Sequence, residues 1–113
     1  MHFNQFKSFE NPLPPSEVHF VDLKVEPWED KTRIKVLVKI SEFSSPPNFN
    51  FSIKSNEGDF LSEVTLIENV DTEFVFTMHF RSPTTHNSFT LLGEIFYQDE
   101  IGTVDSKSLS FTI

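Results

Sequence analysis

Apolar and polar side chains alternate strictly along residues 32–40. One parity of this segment is β-branched: Ile34, Val36, Val38 and Ile40. The other parity is mostly basic: Arg33, Lys35, Leu37 and Lys39. Because successive side chains of a strand point to opposite faces, the pattern predicts a half-buried strand, whereas a helix would bury lysines. A second layer of structure must cover the apolar row.

Six further segments continue this period of two, around residues 18–28, 48–54, 60–68, 72–81, 89–98 and 108–113. Their expected inward residues are Val21, Leu23, Val25, Phe49, Phe51, Ile53, Phe74, Phe76, Met78, Phe80, Phe89, Leu91, Gly93, Ile95, Tyr97, Leu109, Phe111 and Ile113. The fourth segment is irregular, since Val64, Leu66 and Ile67 do not share one parity. A bulge or an edge position would explain it.

Turn residues separate the segments and no helical period is present, so we expect an all-β fold, a seven-stranded antiparallel β-sandwich. In length and strand rhythm, residues 18–113 resemble the immunoglobulin-like and fibronectin type III group. The chain departs from antibody domains, because it has no cysteine and its Trp28 ends the first strand instead of lying in the third. The resemblance implies the fold and no function.

Three motifs carry a second resemblance: residues 40–43 followed by Pro46-Pro47-Asn48, residues 64–68, and residues 77–81. In these motifs the chain is similar to short, uncharacterised bacterial proteins that consist of one sandwich domain. That resemblance implies a bacterial origin and says nothing about activity.

Size and charge narrow the classes of function. A chain of 113 residues is expected to form one domain. Nine basic and seventeen acidic residues give a net charge of −8, which disfavours binding to nucleic acids and to anionic membranes. Without cysteine there is neither a disulfide framework nor a thiolate site. No signal peptide or transmembrane run is visible, so we expect a cytoplasmic protein.

Residues 1–17 differ in pattern from the rest of the chain and form an expected N-terminal leader, with the sandwich at 18–113. Phe3, Phe6 and Phe9 precede a segment with three prolines, which is compatible neither with a helix nor with a central strand. The leader is either a flexible segment or a docking arm that lies on its own sandwich or on a neighbouring subunit.

No motif brings catalytic groups together, so we expect no enzyme, no cofactor and no metal site. The four histidines, His2, His19, His79 and His86, lack metal-ligand spacing, although His79 is expected to face outward, near carboxylates of a neighbouring strand. Neither a nucleophile elbow nor a glycine-rich phosphate loop is present. Paired acids in the turns are typical of solubilising charge.

One outward row stands out. Leu92 and Phe96 are expected on the solvent face of the sixth strand, among small neighbours: Asn50, Ser52, Ser108 and Ser110. A charge-poor face with an apolar centre is typical of association surfaces. We therefore predict a non-catalytic protein interaction or assembly module, acting through Leu92 and Phe96, through the leader phenylalanines, or both. The leader folding back over this face is one alternative. The other is a carbohydrate- or small-ligand-binding sandwich that uses Trp28 and Tyr97.

Overall fold

A computed structural model describes residues 9–80, 88–98 and 100–113. This part of the chain forms seven strands: β1 (Phe20–Pro27), β2 (Arg33–Ile40), β3 (Asn48–Ser55), β4 (Phe60–Leu66), β5 (Glu73–His79), β6 (Ser88–Tyr97) and β7 (Gly102–Thr112). One 3₁₀ turn, Pro15–Glu17, precedes β1. Within the described ranges, no helix has the length and apolarity needed to cross a membrane.

Two antiparallel sheets make up the fold, with strand orders β1-β2-β5 and β4-β3-β6-β7. The β-sandwich predicted from the alternation is therefore confirmed. The connection between β2 and β3, which contains Pro46 and Pro47, crosses from one sheet to the other. Gly58, with φ +93°, occupies the turn between β3 and β4, where a residue without a Cβ has no steric penalty.

Phenylalanine rings fill the interior between the sheets. Phe49 and Phe51 stack at 5.8 Å, and Phe74 and Phe76 of the facing sheet approach them at 5.2 and 4.9 Å. A second cluster lies toward the start of β6 and contains Phe80, Phe89 and Phe111. These centroid distances are typical of favourable aromatic pairs. The predicted inward rows of β2, β3, β5 and β6 thus form one shared core.

Gly93 lies in the inward row of β6 because two rings occupy the space that a side chain would need. A Cβ at this position would lie 3.0 Å from Cε1 of Phe51 and 3.1 Å from Cζ of Phe20. Both distances are shorter than ordinary van der Waals contact, so even alanine would displace a buried ring.

The inward prediction for Val21 is wrong. The pairing of β1 with β2 shifts register between Phe20 and Asp22. Val21 is the extra residue of this bulge and is 49% exposed, whereas Phe20 and Leu23 are buried. The extra residue of a bulge moves the residues before it to the opposite face from the one that alternation predicts. Strict alternation therefore places the Val21 side chain on the wrong face.

The irregular fourth segment has both features that the sequence suggested. β4 is an edge strand, and its pairing with β3 shifts register between Ile53 and Lys54. The last strand is longer than the segment expected around residues 108–113, because β7 begins at Gly102. Its pairing with β6 also shifts, between Ile95 and Phe96.

Candidate interaction surfaces

The outer face of the four-stranded sheet carries the two apolar residues that the sequence singled out; we call it the four-strand face. Leu92 lies opposite Ser52 on β3 and Ser108 on β7. Phe96 lies opposite Asn48 and Thr103. Both apolar side chains are only half-buried, although neighbouring strands flank them on both sides.

The predicted charge-poor centre of the four-strand face is interrupted. Glu94 shares the outward parity of β6 and lies between Leu92 and Phe96, opposite Asn50 and Ser106. Because residues two apart point to the same face, no register could remove this carboxylate from between them. Leu92 and Phe96 are therefore two separate apolar positions and not one continuous patch.

The described part of the leader packs on its own sandwich. The ring of Phe9 meets Phe43 at 5.1 Å, edge to face. The N–H of Ser44 donates to the Leu13 carbonyl at 2.9 Å, and the N–H of Asn11 donates to a Glu42 carboxylate oxygen at 2.9 Å. Residues 9–13 thus cover the connection between β2 and β3.

The other two leader phenylalanines, Phe3 and Phe6, lie outside the described residues. The choice between a leader that covers its own sandwich and an arm that reaches a partner therefore stays a prediction for residues 1–8.

The outer face of the three-stranded sheet, which we call the three-strand face, has an apolar centre of its own. Leu37 on β2 lies directly opposite Val75 on β5 and Lys24 on β1. Val75 is 55% exposed. A concavity of about 310 Å³ opens here, lined by Asp22, Lys24, Leu37, Val38, Lys39, Glu73, Phe74 and Val75.

Charges of both signs surround this concavity. The three strands present four basic and three acidic side chains on this face, namely Lys24, Arg33, Lys35, Lys39, Asp22, Glu26 and Glu73. Nζ of Lys24 lies 3.5 Å from Oδ2 of Asp22, and Nζ of Lys35 lies 3.9 Å from Oε1 of Glu26. Such exposed pairs stabilise a fold by about 0–1 kcal/mol. Their consequence is a nearly neutral face on a chain of net charge −8.

The turn between β1 and β2 holds Trp28 at the end of the three-strand face. The Arg33 guanidinium carbon lies 4.0 Å from the Trp28 ring centroid, which is cation–π geometry. Arg33 Nε is 3.3 Å from Oδ2 of Asp30. The buried Nε–H of Arg33 has no hydrogen-bond acceptor of suitable geometry in the described part of the chain.

Asp30 is held in its charged form. The backbone N–H of Thr32 donates to its carboxylate at 3.0 Å, and this hydrogen bond, assisted by the Arg33 charge, lowers the pKa of Asp30 below its usual value. A second concavity, of about 250 Å³, lies beside the turn and is lined by Glu26, Pro27, Trp28, Glu29 and Lys35.

Tyr97 is not available as a ligand platform. Its side chain is 7% exposed, and its hydroxyl donates to the Ser45 carbonyl at 2.8 Å. Burial raises the pKa of Tyr97 to about 12. Of the two aromatic residues on which the ligand-binding alternative depended, only Trp28 faces solvent.

Within residues 9–80, 88–98 and 100–113, no three His, Asp or Glu side chains lie close enough to hold a metal ion. Across the sheet His79 lies opposite Arg33, and its approach to carboxylates of a neighbouring strand stays a prediction.

Sequence reasoning missed the pairing of Leu37 with Val75. The signal was present, since each is the apolar exception in an otherwise polar outward row of a clear strand. Pairing them requires the register between β2 and β5, which are not consecutive in the chain. Alternation within a single strand does not specify that register.

Solved structures similar to this chain are domains of much larger enzymes. A glycosyl hydrolase family 2 member from Bacteroides cellulosilyticus matches with a TM-score of 0.61 at 12% identity, over 85% of this chain and 15% of that chain. A β-glucuronidase from Bifidobacterium dentium, complexed with coumarin-3-O-glucuronide, matches with a TM-score of 0.58 at 15% identity, over 85% and 18%. A β-glucuronidase from Ruminococcus gnavus, in complex with D-glucaro 1,5-lactone, matches with a TM-score of 0.54 at 14% identity, over 86% and 16%.

The likeness is one of fold. At these identities it establishes the β-sandwich, and this chain spans less than a fifth of the length of each enzyme chain. No family model matches the sequence, and no curated protein matches it. The resemblance to short single-domain bacterial proteins therefore stays a prediction.

Proposed function

We propose that this chain is a non-catalytic module that binds protein, and that the three-strand face is its main contact surface. The observation that supports the proposal is the Leu37–Val75 pair, which lies in a concavity bordered by Lys24, Lys39 and Glu73.

The composition of this face is that of an association surface. Protein interfaces combine an apolar centre with a polar rim, and an exposed apolar centre lowers its free energy when a partner covers it. Val75 is 55% exposed, and a mixed-sign rim gives a partner several possible ion pairs. The low net charge of the face also reduces the repulsion that an acidic partner meets elsewhere on this chain.

The surfaces predicted from sequence take second place in the proposal. Leu92 and Phe96 are half-buried and separated by Glu94, which leaves less apolar area for a partner. In the leader, Phe9 is already engaged by Phe43, so any arm that reaches a partner would consist of Phe3 and Phe6. The absence of cysteine suits a cytoplasmic setting, and the charge of −8 argues against nucleic acid and membrane as partners.

Site-specific photo-crosslinking tests the proposal. A photoreactive amino acid replaces Leu37 in the full chain, and the matched control carries it at Ser110, opposite Thr90 on the four-strand face. We expect protein adducts from position 37 and none above background from position 110. The adduct partner is then purified, and its affinity for wild type is compared with Val75→Asp and Phe96→Asp. Val75→Asp should cause the larger loss. Equal labelling at both positions, or no loss with Val75→Asp, would contradict the proposal.

A carbohydrate- or small-ligand-binding role is the second candidate. It draws support from Trp28, which is 40% exposed beside the 250 Å³ concavity, and from structural neighbours that act on glycosides. Arg33 lies over one face of the ring, so a sugar would stack on the other. A glycan array probed with wild type and Trp28→Ala decides the matter. Hits that disappear in the variant favour this role, and an array without hits removes it.

A further inference from the structure

The sandwich has four edge strands, and three of them share a feature that prevents strand addition. β1, β4 and β7 each contain one extra residue relative to their neighbour, namely Val21, Leu61 and Val104. β1 also ends in Pro27, and Lys107 lies in β7. Bulges, prolines and lysines are the devices by which sheet edges avoid pairing with other chains.

β5 is the exception. It pairs with β2 over seven consecutive residues with no register shift. It contains no proline and no lysine or arginine, and its composition is largely apolar. A regular edge without these devices is a template for an added strand.

The backbone groups at the free side of β5 can be identified from two hydrogen bonds. The Thr72 carbonyl accepts from the N–H of Ile40 at 2.8 Å, and the N–H of Phe80 donates to the Thr32 carbonyl at 2.9 Å. Even-numbered residues of β5 therefore bond toward β2, and odd-numbered residues point their N–H and C=O to the free side.

Only one end of that free side is occupied by a described residue. The hydroxyl of Ser62 on β4 donates to the His79 carbonyl at 2.8 Å. In the described part of the chain, the backbone groups of Glu73, Val75 and Thr77 have no strand partner on this side.

We propose that β5 pairs antiparallel with β5 of a second copy of this chain, with Val75 on the twofold axis, so that the two three-stranded sheets become one six-stranded sheet. This inference goes beyond the proposed function, because pairing at the edge of the sheet leaves the three-strand face open to another protein. Val75 and Glu73 also line the concavity of the three-strand face, so the dimer edge is continuous with that surface.

The cross-strand pairs that this register produces favour a second copy as the occupant. When the two strands pair antiparallel about Val75, a residue a given number of positions before Val75 lies opposite the residue the same number of positions after Val75 in the partner subunit. Over residues 73–77, the part of the edge that stays open, Glu73 then faces Thr77 of the partner subunit. No like charges lie opposite each other, although each chain carries a net charge of −8. The remaining cross-strand pairs are Val75 with its own copy and Phe74 with Phe76 of the partner subunit, both of them favourable.

The proposed pairing also predicts how weak the dimer is and how its affinity changes with salt. A contact of about five residues a side is small for a protein interface, so the dimer should be weak and populated only at high concentration. Because two acidic chains repel each other over a distance, added salt should strengthen this pairing. An interface held mainly by ion pairs would show the opposite trend.

Sedimentation velocity on the full chain provides the first test. Wild type should show a monomer–dimer equilibrium that shifts toward dimer with concentration and with salt. Val75→Lys places two like charges together at the axis and should weaken the dimer by about tenfold or more. The matched control, Val75→Thr, keeps a β-branched side chain and the edge backbone, so its dimer should persist. Circular dichroism checks that each variant is folded.

Introduced cysteines test the register, since the native chain contains none. In the proposed pairing the two copies of residue 75 have Cα atoms about 5.5 Å apart, within disulfide range. Val75→Cys should therefore oxidise to a covalent dimer. Glu73→Cys and Thr77→Cys should each remain monomeric when oxidised alone, because their own copies lie about 14 Å apart, yet a mixture of the two should cross-link. Ser110→Cys reports random collision.

The outcomes separate this inference from the proposed function. Wild type that is monomeric up to about 500 μM, or Val75→Cys that cross-links no faster than Ser110→Cys, overturns the dimer. If position 37 still labels a different protein in that case, the proposed function stands and only the second copy is wrong. If position 37 labels nothing, both are wrong.

Discussion

The two outer faces of the sandwich each carry apolar residues within polar rows, yet these residues differ in exposure. Leu92 lies on β6, with strands on both sides, and is half-buried between two serines. Val75 lies on the edge strand β5, has a neighbour on one side only and is 55% exposed. The position of a strand within its sheet therefore decides how much of an outward apolar residue remains available to a partner.

The largest expected difference in the free energy of unfolding is between a substitution in the shared interior and one at an exposed position. Phe51→Ala should reduce the free energy of unfolding by about 3–5 kcal/mol, because its ring packs on Phe49 and Phe76 with no exposed surface. Phe60→Ala, the same substitution at a residue 56% exposed on β4, should change it by about 0.5 kcal/mol or less. Urea denaturation measures both free energies. Similar losses for the two variants would mean that the inward and outward residues of these strands are wrongly assigned.

Gly93→Ala should reduce the free energy of unfolding by about 1–3 kcal/mol, since the added methyl group meets the rings of Phe51 and Phe20. Ser108→Ala, on the outward row of the neighbouring strand, is the matched control and should be nearly neutral. A neutral Gly93→Ala would show that the rings at this point have room to move.

A threonine substitution on each outer face should affect stability to a different extent. Leu92→Thr should reduce the free energy of unfolding by about 1 kcal/mol, because the leucine is half-buried on an interior strand. Val75→Thr keeps the β-branched shape at an exposed edge position and should stay within about 0.5 kcal/mol. If the second loss equals the first, strand position does not control exposure on these faces.

The smallest expected effect is on how the stability of the fold depends on pH. Burial raises the pKa of Tyr97 from 10.0 to about 12, so the folded protein keeps this proton where the unfolded chain loses it. The contribution is fully present below pH 10 and is lost as the pH rises toward 12. Tyr97→Phe should therefore show a shallower loss of stability over that interval. Thermal unfolding at several alkaline pH values measures it, and parallel curves for the two proteins would contradict the assignment.

Much of the fold could be predicted from the sequence, because a period of two reports directly which side of a strand is buried. The inward and outward residues of β2 and β5 were predicted in this way, and so was the inward position of Gly93 on β6. Val21 could not be placed correctly, since a bulge depends on the pairing of two strands and leaves no sign in the alternation of one.

The candidate site was less predictable for a related reason. Leu92 and Phe96 were correctly placed on an outer face, but their half-burial follows from neighbouring strands and not from their own segment. Leu37 and Val75 meet only through the register of β2 against β5, which lie in different parts of the sequence. The free edge of β5 likewise becomes visible only when the strand order is known.

Amide hydrogen exchange on the full chain, followed by NMR at low and high protein concentration, tests the central claim most directly. The amides of Phe74, Phe76 and Met78 should exchange slowly at both concentrations, because they bond to β2. Those of Glu73, Val75 and Thr77 should exchange rapidly in dilute solution and become protected as the concentration rises. Rapid exchange of these three at every concentration would contradict the claim that the edge of β5 is where a second copy binds.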